Sequence, residues 1–210
     1  MKKSLLIIIF LIFGIMAFGN EFSFEIEKGE NWEHNMKILF FNKKLAPQIA
    51  IWTENSEGKY LETYYISKKV NKWRNMEKKK RQEALPVWWN KVEGNVDAVA
   101  GATISGNNAI YREKKAKENI LYIYLEINNS FDYNKYYTKK GENNTINSKV
   151  SGQPSLIYLA KFNVKKNDIV EFKLIGHGSP DGTNGNINND LSKVTNALKI
   201  LKSAKVKLRK

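Results

Sequence analysis

Thr103 stands in the stretch "VDAVAGATISG" (residues 96–106), directly behind Gly101 and Ala102 and a short way after Asp97. Small residues ahead of a hydroxyl leave it accessible, so it could carry chemistry. The same residues also suit a tight turn with no chemistry. His177 is the second reactive side chain. It lies in "IGHGSPDGTNGNINND" (175–190) between Gly176 and Gly178, with Asp181 and Asp190 downstream. An imidazole so placed could be a ligand or a general base, and the plain alternative is a multi-turn loop whose glycines supply positive φ. A calcium loop does not fit, because a glycine at its sixth position puts Pro180 or His177 at the first, where a carboxylate is required. His34, the only other histidine, is far away in sequence, which gives a two-histidine metal site little support.

Aromatic and basic residues supply the other candidates. Trp88 and Trp89 follow Pro86. Large rings at the mouth of a site stack on sugars, bases or an isoalloxazine, but they also fill cores, and one packed ring beside one exposed ring is the expected arrangement. The segment "KKVNKWRNMEKKKR" (68–81) carries eight basic residues and one acid, Glu77. It could bind anionic lipid or a polyanionic glycan with Trp73 as an interfacial anchor, or be a solvated charged face. Neither a G-x-S-x-G elbow, an H-E-x-x-H helix nor a P-loop is present, so no hydrolase or nucleotide motif supports an enzyme.

The compartment limits these chemistries. Lys2 and Lys3, the apolar run from Leu5 to Phe18, and the small residues Ala17 and Gly19 read as a signal peptide over 1–19, cut before Asn20. The apolar run is shorter than the roughly 20 residues that span a bilayer. Residues 20–210 then form a single exported domain, periplasmic or extracellular. The absence of cysteine excludes disulfides, a thiol nucleophile and thiolate metal sites. Net charge is +14, or +12 once Lys2 and Lys3 are removed. For an exported chain the matching polyanions are lipid, wall polymers or an acidic protein, and nucleic acid is not expected.

The elements that must position these residues are mainly strands. Runs of β-branched and aromatic residues occur at 36–41, 47–54, 60–67, 119–128, 155–164 and 168–176, and again at the C-terminus. "NSEG" between the second and third predicts a hairpin. In 49–54, Ile49, Ile51 and Thr53 alternate with Ala50, Trp52 and Glu54, which predicts one buried face and one partly buried. Leu121, Ile123, Leu125 and Ile127 share a face opposite Tyr122, Tyr124 and Glu126. A helix is expected over 190–204 on the stripe Leu191, Val194, Leu198 and Leu201, and another before Pro86, which would end it. The sum is an antiparallel β-sandwich, immunoglobulin-like, with one or two short helices.

Two resemblances add to this. D-A-V-A-G-A-T at 97–103 resembles the flavinylation motif of respiratory electron-transfer subunits, in which the final threonine carries a phosphoester-linked FMN. Ala100 stands where that family has serine or threonine. From about Ala46 onward, "PQIAIWTENSEGKYLETYYI", "VWW", "VDAVAGAT", "LYIYLEINNSFDYNKYY", "SGQPSLIY" and "GHGSPDG" resemble domain of unknown function 2271, a family of predicted periplasmic proteins. That resemblance implies an exported β-sandwich in the company of flavin and PepSY-type membrane redox systems, and it supplies no catalytic residue. The expected function is a non-catalytic accessory or binding module of a cell-envelope redox system. Two alternatives stand beside it: an FMN carrier modified at Thr103 by a flavin transferase, and a binder of envelope polyanions or glycans through 68–81.

Overall fold

The computed structural model of the chain describes residues 21–38, 41–68, 70, 82–92, 99–101, 109–113, 119–139 and 150–209. Strands β1 (Glu21–Lys28), β2 (His34–Ile38), β3 (Phe41–Leu45), β4 (Gln48–Glu54) and β5 (Tyr60–Ser67) come first. A short helix α1 (Pro86–Lys91) follows, and then β6 (Val99–Gly101), β7 (Ala109–Glu113) and β8 (Ile120–Asn128). The chain closes with β9 (Leu156–Asn163), β10 (Ile169–Glu171), β11 (Lys173–His177) and β12 (Leu201–Arg209).

These strands build a β-sandwich. A four-stranded sheet runs β10-β12-β1-β7, a six-stranded sheet runs β11-β9-β8-β4-β5-β6, and β2 and β3 form a separate hairpin. Pairing is antiparallel in both sheets except at one edge, where β6 lies parallel to β5. The two sheets share one core, with Phe22, Phe24 and Ile26 of β1 and Val206 and Leu208 of β12 on one side and Ile49, Ile51 and the Leu121–Ile127 stripe on the other. Phe22 meets Phe162 and Tyr64 edge-on, at centroid distances of 5.3 and 5.9 Å. Each such buried side chain contributes about 1.5–3 kcal/mol relative to exposure.

Several elements differ from the sequence reading, among them the run 168–176, which is divided between β10 and β11 in different sheets, and β6 and β7, which were not anticipated. β1 was not anticipated, although Phe22, Phe24 and Ile26 alternate in "FSFEIE", and it holds the four-stranded sheet together by pairing with both β12 and β7. The run 36–41 is not one strand but is divided between β2 and β3. The helix expected over 190–204 is absent: the segment makes one 3-10 turn (Asn196–Lys199) and enters β12 at Leu201. Leu198, a member of the supposed stripe, is 38% exposed, whereas Ala204, Val206 and Leu208 alternate inward, so pairing with β1 overrides the helical spacing. Pro86 begins α1 rather than ending a helix, because at the first helical position an N–H would have no partner within the helix and proline loses nothing by lacking one.

The six-stranded sheet is also buried on its second face. Every residue of β4 is buried, including Ala50, Trp52 and Glu54, where only partial burial was expected. The cover is α1 with the turn before it: Ala84, Leu85, Val87, Trp88 and Val92 pack with Ala50, Trp52, Ile66 and Ile157 in a second core.

Candidate functional site

Glu126 is the centre of that covered face. It sits in β8 with Ala50 and Ile157 as lateral neighbours, and it is fully buried. A carboxyl placed there must be hydrogen-bonded or neutral. It is hydrogen-bonded: the backbone N–H groups of Val87 and Trp88 donate to it at 3.2 and 2.7 Å, and Ser155 Oγ donates at 2.6 Å. The residue before α1 is Leu85, which has no capping side chain. Glu126 therefore reaches across from the sheet and satisfies the free donors of the helix start. Burial pushes its pKa up to about 7, against the opposing effect of the three hydrogen bonds.

Trp88 belongs to the same layer. It is fully buried, and its Nε1 donates to Thr63 Oγ1 at 2.9 Å. Trp89 packs edge-on against it at 6.1 Å and is partly buried. Nearby, Trp52 stacks on Tyr124 at 5.1 Å and donates its Nε1 to Glu54, whose other oxygen takes Lys91 Nζ at 3.1 Å.

His177 ends β11 and is 5% exposed. Its Nδ1 lies 2.7 Å from Gly178 O, and its backbone pairs with Asn188, which closes the loop between them. The ring lines a hollow of about 250 Å³ with Ser179, Asn184, Asn186 and Asn188. Asp181 is spent on the loop itself, accepting from Ser179 Oγ, from Thr183 Oγ1 at 2.8 Å and from Thr183 N at 3.1 Å. Partial burial works to raise its pKa, but these bonds together hold the carboxyl below its ordinary value.

The loop docks on the covered face where there is no room for a side chain. A Cβ at Gly178 would lie 2.6 Å from Pro86 Cγ and 2.7 Å from Ser155 Oγ. His177 is thereby brought beside the Glu126 layer, a proximity no sequence spacing announces. Gly101 is the last residue of β6, paired with Ser67 at the sheet edge. Asp97, Ala102, Thr103, Trp73 and residues 71–81 lie outside the described residues, as do residues 1–20. Among the described residues no group of three or more His, Cys, Asp or Glu side chains could hold a metal ion.

Fold and site together define a β-sandwich protein whose larger sheet carries a second, tryptophan-rich layer. No protein-family model, no curated protein and no solved structure matches the chain.

Proposed function

We propose that this chain is an exported, non-catalytic β-sandwich that serves as an accessory or binding module of a cell-envelope redox system. What supports the reading is the leader pattern of residues 1–19 in the sequence together with a covered face whose buried carboxyl, Glu126, is taken up by backbone N–H groups and Ser155 of the fold itself. The polar groups of the covered face support a non-catalytic role, since Glu126, Thr63 and Glu54 are held by hydrogen bonds within the fold. The resemblance of "VDAVAGAT" and "SGQPSLIY" to domain of unknown function 2271 belongs to the same proposal. Crosslinking in intact cells, followed by identification of the captured protein, tests it: a membrane redox protein is the expected partner.

A second reading is favoured by the position of Gly101. The motif enters the described structure through Val99–Gly101, which pairs with β5 at the sheet edge, and Thr103 lies outside the described residues. An FMN joined to Thr103 would supply the electron chemistry and the chain its placement. Co-expression with a flavin transferase should give a fluorescent band on a denaturing gel that disappears in Thr103→Val. No band, or one that survives the substitution, ends this reading.

A further inference from the structure

On another part of the molecule, the turn after β8 and the turn before β12 face each other across a cleft of about 560 Å³. Tyr133, Lys135 and Tyr136 line one side and Ser192, Lys193 and Asn196 the other. The volume lies in the range of small-ligand sites and would take one or two sugar rings.

The walls are fixed before any ligand arrives. Asn134 Nδ2 donates to Lys193 O at 2.8 Å and to Thr195 Oγ1 at 3.1 Å, while its Oδ1 accepts from Tyr136 N at 2.9 Å and Tyr137 N at 2.7 Å. Buried Gln153 braces the same joint, its Oε1 accepting from Thr195 N at 2.7 Å and from Asn134 Nδ2 at 3.1 Å. Little ordering would accompany binding.

The chemistry of the lining is specific. Lys135 and Lys193 are exposed, and Lys193 Nζ lies 5.6 Å above the Tyr136 ring, a contact that holds the charge at the wall. Asp190, held below its ordinary pKa by its bonds to Ser192 and by the charge of Lys193, sets one carboxylate near Lys193, while Lys135 stands on the opposite wall. A bare phosphate would want convergent backbone N–H groups, but those of Tyr136 and Tyr137 are consumed by Asn134. Aromatic surface for the C–H faces of a sugar and two ammonium groups for a carboxylate describe a sugar acid.

We infer that this cleft binds an acidic saccharide, a chain whose sugar units carry carboxylates. Binding there requires neither residues 68–81 nor Thr103 to be functional. Calorimetric titration of the purified full chain with oligogalacturonate, and with a neutral galactose oligomer of the same length, tests it. The acidic oligomer should bind more tightly than the neutral one and weaken with salt. Lys135→Ala and Lys193→Ala, both at exposed positions, should each weaken binding about three- to fivefold. Replacing Lys78, Lys79 and Lys80 by Gln should leave it unchanged. No binding, equal binding of the neutral oligomer, or loss on changing the basic run with none on changing Lys193 would overturn the assignment.

Discussion

Glu126 is an acid that the fold uses as a cap. Its pKa lies at about 7 in the folded chain against an ordinary 4.5, raised by burial. The folded state therefore binds this proton more tightly than the unfolded state does. The stability the group contributes is full below the unfolded value and is lost as pH rises through the folded one, a change on the order of 3 kcal/mol. Urea unfolding of the native chain and of Glu126→Gln at several pH values should show the native chain losing stability relative to the variant between those two pKa values; parallel profiles would contradict it. The alternation in β8 made the placement of Glu126 opposite Leu125 and Ile127 legible in the sequence. Its burial was not, because the cover comes from α1, 38 residues before it in the case of Trp88. The absence of a capping residue before Pro86 was the one local signal that a distant acceptor was needed.

At the scale of elements, local patterns failed where tertiary pairing overrode them. The spacing of Leu191, Val194, Leu198 and Leu201 fits a helix and equally fits a turn that feeds a strand, and only the partner strand decides. That partner is β1, which received no strand assignment although Phe22, Phe24 and Ile26 alternate in it. The two alternatives make opposite demands on two side chains. Leu198→Ala, at a position 38% exposed, should change stability by less than about 0.5 kcal/mol, whereas Val206→Ala, fully buried, should cost about 2 kcal/mol. Thermal or urea unfolding of both variants checks this; comparable losses would restore the helix. The long strands β4 and β8 were legible from residues alternating at period two, and β5 and β9 from runs rich in β-branched and aromatic residues.

The whole molecule is closed by its ends. β1 and β12 pair in register from Glu21 with Arg209 to Ile26 with Ala204, so the first and last strands lie side by side within one sheet. This explains why a fold without cysteine holds: the longest-range pairing joins the two ends of the domain and seals a core shared by both sheets. The sequence supplied the fold class and the export expectation. The covered face and the two hollows became visible only through contacts between segments distant in sequence. The measurement that bears most directly on the proposed function is crosslinking in intact cells with intact-mass analysis of the captured chain. The account predicts a chain beginning at Asn20, recovered from the envelope and joined to a membrane redox protein; a chain that retains Met1 in the cytosol, or an envelope chain with no redox partner, would contradict it.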